Sequence, residues 1–160
     1  DPTNAGNSSI DVVPGASASL ANNPLSSTVP AARLDDIAAE HSARLGFAGG
    51  LASICAAKVD VEAAVLRVLK GAPRLLANRQ LRVVVLELVP VLPPGSVGVA
   101  VGVRESLQIL HLLVASGFRI HGRRPVLHDR EYAPHEFDGL VAQLAAVAKL
   151  GTTIVAIRPR

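Results

Sequence analysis

Aromatic side chains make up only 2% of this chain and tryptophan is absent, which leaves too few rings for the base-stacking platforms of single-strand nucleic-acid binders. Nucleic acid is therefore a weak candidate partner, although the net charge is +3. The arginines are spread along the sequence, with small clusters only at "GRRP" and in the terminal "RPR". A single cysteine, Cys55, excludes an internal disulfide, so a reducing, cytoplasmic setting is the expectation. Within "LASICAAKV" that cysteine reads as a small buried hydrophobe. Methionine is missing altogether and the first residue is Asp1, which argues against an intact translation product.

No uninterrupted apolar run is long enough to cross a membrane. The most apolar region, "LRVVVLELVPVLPPGSVGVAVGV", is broken by Glu87, by three prolines and by glycines. Metal-ligand spacing is also lacking: His111, His121, His128 and His135 are ten and seven residues apart, with no His-x-x-x-His pair, so no metal is expected. His111 falls on an apolar helix and reads as hydrogen-bonded within the fold. Neither a nucleophile elbow nor a phosphate loop is present, because the glycines of "PPGSVGVAVG" are not followed by Lys-Ser/Thr.

What is present is enough apolar material, 49% of 160 residues, for one substantial core. Residues 1–32 are rich in Asn, Ser, Ala and Pro without periodicity and read as irregular chain; residues 33–160 read as an α/β domain. "RLDDIAAEHSARLG" carries helix start and stop signals, with Asp35 as its cap. Ala52 to Val59 reads as a buried strand. From Val61 the apolar residues recur at helical spacing, and Gly71 and Pro73 divide that stretch into two short helices. "LRVVVLELV" is a second strand, covered on both faces. A helix stopped by Gly117, the strand "FRIHG", a polar loop, a helix from Phe137 and the strand "TTIVAIRP" complete the alternation. Right-handed crossovers then bring Asp60 and Glu87 to one rim of the sheet, the rim at which open α/β sheets bind ligands.

The junction "KVDVEAAVLRVLKGA" carries the candidate chemistry. Lys58 and Asp60 are two apart and share a side of an extended segment, while Glu62 follows on the first helical turn, where the helix dipole favours an acid. A carboxylate at a sheet rim can hold a hydroxyl, accept a proton or help bind a cation. Arg123 and Arg124 in the polar loop are candidates for steering an anionic substrate.

At these residues the chain resembles a known family. "KVDVEAAVLRVLKGAPRLLA" followed by "VVVLELVP", with "RLDDI" upstream and "LVASGF" downstream, is similar to the later half of the FkbM-type S-adenosylmethionine-dependent methyltransferases. The resemblance runs from about Arg33 to Phe118. It implies an α/β fold, the later half of a Rossmann-like class I methyltransferase sheet, mostly parallel with an antiparallel last strand. It also implies S-adenosylmethionine as cofactor and a small-molecule or sugar hydroxyl as methyl acceptor. Asp60, Glu62 and Lys58 would then be catalytic, with Glu87, Arg123 and Arg124 on the substrate. Two positions depart from the family pattern: its glycine after Asp-Val-Glu is Ala63 here, and the acid two residues later is Val65. The family's glycine-rich turn and ribose-binding acid have no counterpart in residues 1–32. A fragment lacking the cofactor motif is the expectation, with a non-catalytic interaction module or an anion-binding or nucleic-acid-binding domain as alternatives.

Overall fold

Three valines and a leucine in succession, side chains that suit a pleated surface packed on both faces, form the inner strand β2 (Val83–Glu87). The computed structural model describes residues 31–41, 44, 49–61, 64–88, 90, 102–122, 130–146 and 153–160. The chain divides into two units, 1–32 and 33–160, and almost everything described belongs to the second.

Around β2 are β1 (Ala56–Val59), β3 (Arg119–Gly122), β4 (Glu131–Tyr132) and β5 (Thr153–Ile157), in the spatial order β1-β2-β5-β3-β4. β1 runs parallel to β2, with Val59 opposite Leu86. β5 lies antiparallel between β2 and β3, pairing Glu87 with Thr153 on one side and Arg119 with Ile157 on the other. The antiparallel last strand matches expectation, but the sheet is mixed rather than mostly parallel. β1, β2 and β3 point the same way, yet the last strand separates β2 from β3 and β4 adds an antiparallel edge, so only the β1–β2 ladder is parallel.

The helices are α1 (Leu34–His41), α2 (Val65–Lys70), α3 (Pro73–Ala77), α4 (Val103–Ala115) and α5 (Phe137–Ala146). The break between α2 and α3 falls where Gly71 and Pro73 place it, with Pro73 in the first turn of α3. α4 ends as its sequence requires. Gly117 takes φ +86°, and the Phe118 N–H reaches back to the Leu113 carbonyl at 3.1 Å, so the aromatic ring enters the core behind the glycine. Leu113, Ile120, Phe137 and Ile154 are almost wholly buried in the single apolar cluster that joins helices to sheet.

Several boundaries move. A 3-10 turn, Gly50–Ser53, takes the first two residues of the expected first strand, which starts only at Ala56, and the helix expected from Val61 begins at Val65. Cys55 is exposed rather than buried, because it immediately precedes β1 at the end of the sheet, where the strand is covered only towards Val59. His111 is likewise exposed, with its ring edge-on to Phe137 at 5.3 Å. β4, two residues long, was not visible in the sequence.

Two polar side chains fasten the layers. Asp35 does not cap its own helix; buried on α1, it accepts the Arg74 and Leu75 N–H groups at 2.7 and 2.9 Å and so caps α3. Arg158, just after β5, donates to the carbonyls of Leu76, Asn78 and Ser116 and stacks on Phe118, its charged carbon 4.4 Å from the ring centre. Burial in that position, followed by the nearby Arg82 and Arg79, pushes the Arg158 guanidinium below its ordinary pKa.

A third polar device shapes the turn into α5. The Glu136 carboxylate accepts from Arg130 at 2.7 Å and from the Ala133 N–H at 2.9 Å, and these bonds hold its pKa down to about 2 from 4.5. A depressed carboxyl stabilises the fold fully above the unfolded value of 4.5 and ceases to do so as the pH falls through about 2. A carbon-detected titration of Glu136 should therefore show a midpoint near 2, and Arg130→Gln should return it towards 4.5. A wild-type midpoint near 4.5 would show that neither bond persists in solution.

Candidate functional site

Because β1 and β2 are parallel and in register, they deliver their carboxyl ends to one rim. Asp60 follows Val59 and Glu87 follows Leu86, the last β1–β2 pair, so the two acids stand side by side as the sequence suggested. Antiparallel β5 begins at the same rim, where Thr153 faces Glu87. Thr153 is exposed and adds a hydroxyl that the sequence reading did not single out; only the register of the last strand reveals it.

Lys58 reaches along the strand to its i+2 neighbour. Its Nζ is 2.8 Å from Asp60 Oδ2, with 70% of the lysine and 45% of the aspartate side chain exposed, so the pair is open to any ligand arriving from solvent. The Asp60 bond, then the charge of Asp60 and that of Glu87, raise the Lys58 pKa, which keeps the ammonium cationic throughout the neutral range. Oδ1 of Asp60 makes no hydrogen bond among the described residues. The arrangement therefore presents one carboxylate oxygen held by an ammonium and one able to accept from a hydroxyl, with half-buried Glu87 beside them.

Glu62, Arg123 and Arg124 lie outside the described residues; Arg123 and Arg124 directly follow Gly122, the end of β3. Among the described residues no cluster of three or more His, Cys, Asp or Glu could hold a metal ion, and no helix is long and apolar enough to cross a membrane.

A cavity of about 470 Å³ lies away from the rim acids, between the last turns of α2 and α4 and the helix α3. Its walls are mostly apolar, including Leu69, Pro73, Leu76 and Leu112, with Lys70 and Ser116 as its polar side chains. It contains no carboxylate that could take the hydroxyls of a ribose. Comparison with protein-family models, with curated proteins and with solved structures gives no match to this chain.

Proposed function

We propose that this chain is the later half of an S-adenosylmethionine-dependent methyltransferase domain of the FkbM type, acting on a hydroxyl of a small molecule or sugar in the cytoplasm. The observation that carries the reading is the last strand: β5 runs antiparallel between β2 and β3 in an open sheet whose end strand, β1, leads into Asp60. That arrangement is what the resemblance at "KVDVEAAVLRVLKGA" requires of the later strands.

The residues described here do not fit the cofactor. The cavity between α2, α3 and α4 lacks an acid for a ribose and stands apart from Asp60, and residues 1–32 contain no glycine-rich turn. This part of the chain is accordingly assigned the acceptor side alone. Asp60 Oδ1 accepts the hydrogen bond of the acceptor hydroxyl, and the neighbouring Lys58 ammonium fixes the carboxylate that takes its proton. Glu87 and Thr153 provide further polar contacts along the same rim.

The lack of a cofactor seat among the described residues favours a second reading, a non-catalytic interaction module built on the same sheet, and one experiment separates the two. The gene should encode a glycine-rich strand-turn-helix upstream, and a chain extended through it should bind S-adenosylhomocysteine saturably in calorimetry. In that chain Asp60→Asn should keep cofactor binding and lower methyl transfer by about 10²–10³-fold. A folded extended chain without such binding, or full turnover in the Asp60 variant, would overturn the methyltransferase assignment.

A further inference from the structure

The opposite rim, where β1, β2 and β3 begin and β5 ends, has a different character. We propose that it is a docking surface for the phosphate backbone of duplex nucleic acid. The Arg82 N–H donates to the Cys55 carbonyl at 2.8 Å and the Arg158 N–H to the Arg82 carbonyl at 2.8 Å, so the chain ends before β1 and β2 and after β5 meet there. Arg119 opens β3 opposite Ile157. The four segments brought together are residues 54–55, 78–82, 116–119 and 158–160, and they contain Arg79, Arg82, Arg119, Arg158 and Arg160 without a single Asp or Glu.

Of these five arginines only Arg119 has a carboxylate partner among the described residues, Glu131 at 3.3 Å. The +3 net charge is a balance of 16 cations against 13 acids over the whole chain, and the fold places five of those cations at one rim. Arg158 is committed to carbonyls and contributes only its field, while Arg79 and Arg160 are exposed and Arg82 is half-buried. Glu131 offsets Arg119 alone, while Arg82 and Arg79 lie close enough to Arg158 to act on it as like charges, and a polyanion would relieve that repulsion.

The chemistry favours a particular polyanion. All five cations are arginines, whose planar forks match phosphate oxygens in pairs. Arg82, Arg158 and Arg119 stand at the ends of the neighbouring strands β2, β5 and β3, with Arg79 and Arg160 on the adjoining chain, so the charges are spread along the rim as a ligand with repeated charges requires. Among the described residues no exposed aromatic side chain accompanies them, since Phe118 is buried beneath Arg158. The described rim thus suits backbone contact rather than base stacking, and a duplex offers its backbone without unstacking. Ile157 is the large apolar side chain exposed beside the row, too little to anchor a bilayer surface.

The test is fluorescence anisotropy of a labelled 20-base-pair duplex (about two helical turns) with the 160-residue chain. Three phosphate contacts, from Arg79, Arg82 and Arg160, predict an affinity loss of roughly 40-fold between 50 and 200 mM salt. The triple variant Arg79→Gln, Arg82→Gln, Arg160→Gln leaves Arg158 and its carbonyl bonds in place and should bind with less than about threefold salt dependence. Circular dichroism confirms that the variant is folded. Absence of binding at 50 mM salt, wild-type binding by the folded variant, or equal affinity for a poly-glutamate chain would each overturn the proposal, the last by identifying an acidic polypeptide as the partner.

Discussion

Replacing Arg158 with methionine should destabilise the α/β unit by about 2–4 kcal/mol, read as a lower urea midpoint with an unchanged slope. The guanidinium ties together chain segments far apart in sequence: the end of α3 through Leu76 and Asn78, and the end of α4 through Ser116. Each carbonyl lies at a helix end; the Leu81 N–H also reaches that of Asn78 at 3.1 Å, and methionine fills the volume without supplying a donor to the three. The stack on Phe118 is also lost. Lysine should rescue little, because a single ammonium on a flexible stem cannot span the separated carbonyls as a planar fork does. Arg79→Met, an exposed change on the same rim, serves as the control and should shift stability by less than about 0.5 kcal/mol. A loss below about 1 kcal/mol for Arg158→Met would mean that water replaces the guanidinium at those carbonyls without penalty.

Neither the role of Arg158 nor that of Asp35 was legible in the sequence, and the reason is distance along the chain. Arg158 meets carbonyls 42 to 82 residues away, and Asp35 bonds to backbone 39 and 40 residues on, so no local pattern marks either partner. Local signals fared differently. Gly71 and Pro73 divide α2 from α3, and Gly117 ends α4, because helix termination depends on φ and on a missing N–H at single positions. The run Val83–Glu87 declared itself a strand through β-branching over its length. Cys55 was misjudged because hydrophobicity does not say whether a strand lies in the middle or at the end of a sheet. The rim of Asp60 and Glu87 was readable because parallel strands must present their carboxyl ends together. Thr153 was not, since its place depends on where an antiparallel strand inserts. The arginine rim was hidden for the same reason: residues 79, 82, 119, 158 and 160 become neighbours only once β5 lies between β2 and β3.

Asp35→Ala should cost about 2–3 kcal/mol and should loosen α3 before the rest of the sheet. The carboxylate is 1% exposed and takes both the Arg74 and the Leu75 N–H, the donors that a helix beginning at Pro73 leaves without intrahelical partners. Ala72, at the position before α3, has no side chain able to serve, so the cap comes from another helix instead. The Asp35 N–H completes the link by donating to the Gly71 carbonyl at 3.1 Å, which fixes α1 across the α2–α3 break. Alanine would leave the buried Leu75 N–H and the part-buried Arg74 N–H without their acceptor, whereas Asp35→Asn keeps an acceptor and should lose only about half as much. Asp36 lies next to it in the first turn of α1 but is exposed, and Asp36→Ala should change stability by less than about 0.5 kcal/mol. Hydrogen exchange supplies the decisive reading: in Asp35→Ala the amides of Arg74 and Leu75 should exchange well ahead of those of β2. If those two amides keep wild-type protection, the cap is supplied by some other group and Asp35 contributes only its packing.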